Sequence, residues 1–371
     1  MNLVDWFKNR FRSEASHYIY APIAAGNVRH KDGTAADARE ILPGENYFKV
    51  WLVEMFLKND RDWFSSWYPA VHAAVSFQFG GSPQVLSSVI SQAKKDLIPK
   101  DLGASDLDRF VTMNSELTGL LPFNDGTVTV DAGLIGMQGN NDLKDLIKAL
   151  GTFGSLLAVP QLSAAVKVAG PLADAIGSLV GVTKGVLMVG MSQTYSDSKG
   201  GAEAKLMAGY YAMLDAQDAE IKREKLWVIE DRLQYGDTAE TSQALTGYNY
   251  LLLRIERREN RDDWDRMASI SGPYQNVLNA LQAGNVDQAQ VHLKTAIAAV
   301  LAAPELTKKV DRRRVVEELR AKFEEDKKSM GAGAFARSNT SLQSLMNNAV
   351  DAKQVAGKPV ITSKEALEGL G

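Results

Sequence analysis

Read for hydrophobic periodicity, the first half of the chain follows a period close to two. Tyr47–Leu57 is aromatic and β-branched, with Tyr47, Trp51, Val53 and Phe56 among its large side chains, which predicts a strand. Asp60-Arg61-Asp62 then opens a short turn or helix carrying Trp63, Phe64 and Trp67, and Pro69 is expected to stop it. Val71, Ala73, Val75, Phe77 and Phe79 alternate with His72, Ala74, Ser76 and Gln78, the pattern of a half-buried strand, and Gly80-Gly81-Ser82-Pro83 supplies a turn after it. A strand near Phe110–Leu117, the turn residues Asn124-Asp125-Gly126, and a strand with Val128, Val130, Ala132 and Leu134 on one face read as an antiparallel hairpin. Later strands are predicted near Val186–Met191, Ala208–Leu214, Leu226–Glu230 and Tyr248–Glu256. The last carries Tyr248, Tyr250 and Leu252 on one face and Leu251, Leu253 and Ile255 on the other, so it is expected at the centre of a sheet.

Elsewhere the period is helical. Asn141-Asp142 can cap a helix through Leu143, Leu146, Ile147 and Leu150, and breaks at Pro160 and Gly170-Pro171 make the stretch over about 142–181 a helical hairpin. After Arg257 the chain predicts a short helix at Asp262–Met267, then helices at Pro273–Gln282, Val286–Leu301 and about Lys308–Lys328, the last with Val316, Leu319 and Phe323 on one face. Leu281, Gly284, Ala289, Leu293, Ala296 and Pro304 resemble part of one tetratricopeptide repeat, in a single copy that does not support a repeat array. At the start, Leu3, Val4, Phe7 and Phe11 share one side of a basic amphipathic helix with Trp6 at its edge.

These readings give an α+β protein: an antiparallel β-sandwich-like domain with an inserted low-charge helical hairpin, followed by a C-terminal helical module. The expected division is an N-terminal helix at 1–15, a β-rich domain at 16–260, the helical module at 261–328 and a solvated tail at 329–371.

Composition narrows the chemistry. The 371 residues contain no cysteine, which removes disulfides, thiol nucleophiles, iron–sulfur clusters and cysteine-based zinc sites. With 42 basic and 45 acidic side chains, the net charge of −3 gives no overall attraction to nucleic acid, and no nucleic-acid partner is expected. The opening residues carry Asp5, Lys8, Arg10 and Arg12 where a secretory signal would be apolar, so the default expectation is a cytoplasmic protein.

Catalytic motifs are not evident, and no cofactor or metal is expected. His17, His30, His72 and His292 are not in metal-ligand spacing; His72, with Ser76 and Ser82 nearby in sequence, is the first residue to consider for a hydrolase. Asp262, Asp263 and Asp265 are a candidate calcium cluster, but the run Arg254–Arg266 holds five basic and five acidic residues and reads better as an ion network after the last strand. Trp51, Trp63 and Trp67 line either a core or a pocket, with the core preferred.

The favoured function is that of a non-enzymatic interaction or structural protein that works through its surfaces, with a protein partner or self-association. Trp6, Phe7, Phe11, Arg312, Arg313 and Arg314 are the candidate interaction residues. The alternative is a membrane-active effector, released by proteolysis, in which the low-charge helices of 142–192 insert. Ala149–Ser196 has only three charges in 48 residues, and Leu150, Phe153, Leu156, Leu157, Leu162 and Val166 would enter the lipid.

Overall fold

The computed structural model describes residues 18–58, 61–62, 65–91, 110–138, 186–196, 204–217 and 219–331. Within them the strands are, in order, β1 (Tyr18–Pro22), β2 (Val28–Arg29), β3 (Tyr47–Phe56), β4 (Arg61–Asp62) and β5 (Ser65–Phe79). β6 (Ser82–Ser91), β7 (Phe110–Glu116), β8 (Leu121–Pro122), β9 (Thr127–Gln138) and β10 (Val186–Ser196) come next. The last are β11 (Gly209–Asp215), β12 (Leu226–Ile229), β13 (Arg232–Tyr235), β14 (Gln243–Ala244) and β15 (Tyr250–Arg258). Three α-helices come after them: α1 (Ala268–Gln282), α2 (Val286–Ala302) and α3 (Asp311–Gly331). The protein is therefore mixed α+β, with mostly antiparallel sheets, in two compact units that divide between Glu259 and Asn260.

Within the first unit, the large sheet runs β1-β11-β15-β3-β7, with β8 also on β3, and every pairing in it is antiparallel. The second sheet runs β10-β9-β5-β4, with β6 on β5. The small third sheet, β14-β13-β12-β2, contains the parallel pair β12–β2. Alternation explains the packing, since successive residues of a strand point to opposite faces. Val71, Ala73, Val75 and Phe77 of β5 and Val128, Val130, Ala132 and Leu134 of β9 are buried in one apolar cluster with Phe48, Val50 and Leu52 of β3 and Leu251, Leu253 and Ile255 of β15. The opposite face of the large sheet, with Val53, Phe56, Tyr210, Ala212, Tyr250 and Leu252, forms a second cluster with Val28, Leu226, Val228 and Leu233 of the small sheet. β15 is thus buried on both faces at its centre, which is why its apolar residues occur in a run.

Two local expectations are corrected. Asn124-Asp125-Gly126 does make a turn, and Gly126 has a positive φ of 73°. The strands on either side of it do not pair with each other: β7 lies on β3 in the large sheet, whereas β9 lies between β5 and β10 in the second. Trp67 and Pro69 belong to β5, not to a helix that Pro69 ends. Proline lacks an N–H and is tolerated where ladder bonding is one-sided; β6 joins β5 only from Ala70 onward.

In the second unit, α1 starts five residues ahead of Pro273, because Ile270 and Tyr274 both bury in the helical core. Gly284, with φ 72°, ends the helix in a left-handed cap. Its N–H donates to the Leu281 carbonyl and the Asn285 N–H to the Ala280 carbonyl, the paired bonds of a Schellman motif. Asn285 then caps α2 by accepting a bond from the Gln288 N–H at 3.0 Å. Ala289, Ala296, Val300, Leu319 and Phe323 complete the core with the apolar face of α1. Among the described residues, no helix is long and apolar enough to cross a membrane.

Candidate functional site

On the large sheet's second-cluster face, the apolar positions give way along β3 and β15 to Trp51 and Lys49, and to Arg254, Glu256 and Arg258, none of them fully buried. Strand register brings distant residues together there. Tyr210 of β11 lies opposite Arg254 of β15, and Arg254 lies opposite Trp51 of β3. The next pair along is Glu256 opposite Lys49. The segment after β2 crosses this row, and His30, Asp32, Thr34, Ala35 and Asp37 enclose with it a cleft of about 620 Å³. Small-molecule sites commonly measure roughly 300–1,000 Å³.

The row is an aromatic–cation–aromatic ladder. The Arg254 guanidinium carbon is 5.0 Å from the centre of the Trp51 ring and 5.9 Å from that of Tyr210, within the range in which a ring face attracts a cation. Lys49 Nζ is 4.7 Å from the same Trp51 ring, and the His30 ring lies 5.9 Å from Tyr210. Each aromatic polar group is engaged. Trp51 Nε1 donates to Glu256 Oε2 at 2.7 Å, and the Tyr210 hydroxyl donates to Asp231 Oδ1 at 2.7 Å. Arg254 Nη1 in turn donates to the Tyr210 hydroxyl at 3.4 Å and lies 3.9 Å from Asp231 Oδ1.

Asp231 is held in place at a conformational cost. Among the described residues, the non-glycine positions with positive φ are Asn114 (39°), Glu230 (49°) and Asp231 (63°). Glu230 and Asp231 form the two-residue connection between β12 and β13, with the φ signs of a type I′ turn but without the glycine that usually relieves it. Left-handed backbone costs an L-residue about 1–2 kcal/mol. Asn114 Nδ2 donates to Asp231 Oδ2 at 2.9 Å. Two left-handed residues, Asp231 itself and Asn114 bonded to it, thus build the carboxylate that holds Tyr210.

Three groups of the cleft have displaced protonation equilibria. Burial, and then the bond to Asp231, pushes the Tyr210 phenol up, so at neutral pH it is a neutral donor and not a base. The bond from the Thr34 hydroxyl holds Asp32 below the usual carboxylate range, and the bond from Arg39 does the same for Asp37. Glu256 accepts from Trp51 and Arg258, while Arg257 donates to Glu259 at 2.9 Å and to Asn46 Oδ1 at 3.1 Å. The carboxylates Asp32, Asp37 and Glu256 and the cations Arg257 and Arg258 thus each have a hydrogen-bond partner within the protein.

The residues singled out from sequence are dispersed. Trp6, Phe7, Phe11 and the lipid-facing set Leu150, Phe153, Leu156, Leu157, Leu162 and Val166 lie outside the described residues, as does the whole hairpin at 142–181. His72 occupies a backbone position on β5 opposite Gly133 and Val89, and its side chain is likewise outside the described set. In the helical unit, Arg312 Nη2 donates to the Ala303 carbonyl at 2.7 Å, Arg314 bonds Asp311 and Glu318 at 2.6 Å each, and Arg313 is exposed. Asp263 pairs with Arg261 at 2.6 Å. Arg254 lies within β15, not after it, and so stands apart from the ion network expected of the Arg254–Arg266 run.

Sequence reasoning missed Tyr210, Asp231, Asn114 and the 30–37 segment as parts of one site. One signal was legible: Arg254 is a charge on the face that Tyr250 and Leu252 make apolar. Compared with known protein families, curated proteins and solved structures, the chain matches none.

Proposed function

We propose that this chain is a non-enzymatic binding protein whose first unit recognises a partner through the cleft over Tyr210, Arg254 and Trp51. We also infer that its two larger sheets face each other as a β-sandwich, since one buried cluster draws on both. The observation that carries the functional reading is the Asp231 carboxylate, which sits in left-handed backbone next to Glu230, is bonded by left-handed Asn114, and holds the hydroxyl of the cleft residue Tyr210. Backbone strain of this kind persists where surrounding structure enforces it, and it concentrates at binding and switch sites. The test is affinity capture by the full chain from an extract of its source cells, compared across variants. A partner that the unaltered chain and Arg320→Met retain, and that Arg254→Met loses at least tenfold, supports the cleft. Equal capture by all three proteins overturns it.

A second reading, a membrane-active effector, is favoured by one feature. The low-charge stretch Ala149–Ser196 falls largely in the connection between the neighbouring strands β9 and β10, so its ends are tied to one place on one sheet. Dye release from anionic liposomes, measured before and after limited proteolysis, tests it. Leakage that appears on cleavage and is abolished by Leu156→Asp supports the effector, and no leakage in either state removes it.

A further inference from the structure

We propose that the cleft is an oxyanion-binding site in which Arg254 anchors a carboxylate or phosphate group of a small ligand. This rests on the reading of the cleft as a recognition surface and gives it a chemistry.

Charge accounting singles out Arg254. Asp32, Asp37, Glu256, Arg257 and Arg258 line the cleft, and each already bonds within the chain. Arg254 is more weakly engaged: its Nη1 donates to the Tyr210 hydroxyl only at a long 3.4 Å. Its nearest carboxylate oxygen, Asp231 Oδ1, is 3.9 Å away and accepts its short bond from Tyr210. Arg254 Nε is shielded from solvent with no acceptor, and among the described residues no hydrogen bond engages Nη2. A buried donor without an acceptor is uncommon in folded proteins and calls for an explanation.

The guanidinium is also pre-organised. It is stacked by Trp51 and Tyr210, and both rings are fixed by their own hydrogen bonds, so its direction is set before any ligand arrives. The Arg254 side chain is 26% exposed and lines the cleft, so part of it can be reached by an incoming acceptor. Arginine's planar fork matches the flat, two-oxygen edge of a carboxylate or phosphate, and charge-assisted bonds of this kind are shorter and stronger than neutral ones. The ring faces beside Arg254 are occupied by it, and its positive charge would repel a cationic ligand placed against it. An anion is the complementary class.

The experiment uses the full chain with four sodium salts as probes, acetate, citrate, phosphate and pyrophosphate, at ionic strength matched with chloride. Thermal unfolding and isothermal titration provide the readout. The expected result is saturable binding of at least one probe, with the preferred anion separating a carboxylate ligand from a phosphate one. Arg254→Met should abolish that binding, Arg254→Lys should weaken it at least tenfold because ammonium lacks the fork, and Arg320→Met, at an exposed position of α3, should leave it unchanged. Circular dichroism and unfolding cooperativity establish that the variants are folded. No saturable binding by any probe, or equal binding by Arg254→Met, overturns the proposal. If the anions fail while Arg254→Met still loses a captured partner, only the oxyanion assignment falls; if both fail, the cleft reading falls with it.

Discussion

Six tyrosines share one electrostatic property. Tyr20, Tyr195, Tyr210, Tyr211, Tyr250 and Tyr274 all have phenols pushed up, in each case chiefly by burial. Three of them are neighbours: the Tyr20 and Tyr211 rings stack at 5.8 Å, and the Tyr20 and Tyr195 hydroxyls are 3.3 Å apart. The direction of the raised phenols fixes the sign of the pH dependence. A phenol that ionises later in the folded chain than in the unfolded one leaves the folded state holding more protons above the unfolded value. The stabilisation is complete below roughly pH 10, the ordinary tyrosine value, and is lost as pH rises above it. We expect stability to be level up to about pH 9 and then to fall by up to about 1.4 kcal/mol per pH unit for each retained phenol. Phenolate absorbance should appear together with unfolding. Phenolate that titrates near pH 10 in the folded chain, for all six, would contradict the burial assigned to them. At this scale the sequence was informative about type and silent about place. Tyr250 was legible as a core residue from the alternation around it, whereas nothing near Tyr20 points to Tyr195, 175 residues away.

Among elements, the β12–β13 connection is the one whose local chemistry disagrees with its geometry. Glu230 has φ 49° where glycine or asparagine would be unstrained, and its own N–H donates to the Arg29 carbonyl at 2.8 Å. Glu230→Gly should therefore stabilise the protein by about 0.5–1 kcal/mol, the relief of a left-handed side chain less the added freedom of the unfolded chain. Chemical denaturation measures it, and a loss of stability would show that the Glu230 side chain makes a contribution larger than its strain. The strands themselves were legible because their periodicity is local: β5 reads from Val71 to Phe79, and the two apolar faces of β15 mark it as central. Partners were not legible. Asn124-Asp125-Gly126 encodes a reversal of the chain, but turn residues do not specify which strand lies alongside, and β7 and β9 go to different sheets. The site was invisible for the same reason. Trp51 stood in an aromatic cluster and Arg254 in a charged run, and only the β3–β15 register places one opposite the other.

At the scale of the molecule, each unit has its own apolar core among the described residues. The two clusters of the first unit draw on residues up to Ile255, and the helical cluster begins at Met267. The cleft belongs wholly to the first unit, between the 30–37 segment and the large sheet. Its construction spans β3, β11, β15, the β12–β13 turn and Asn114, five parts of the chain that have no common sequence signature. So many separate elements holding one arginine between two rings is the basis for reading the cleft as a recognition site. The most direct test is the comparative capture experiment with the full chain, Arg254→Met and Arg320→Met. The predicted result is a partner retained by the first and third and reduced at least tenfold in the second. Capture that does not depend on Arg254 would contradict it.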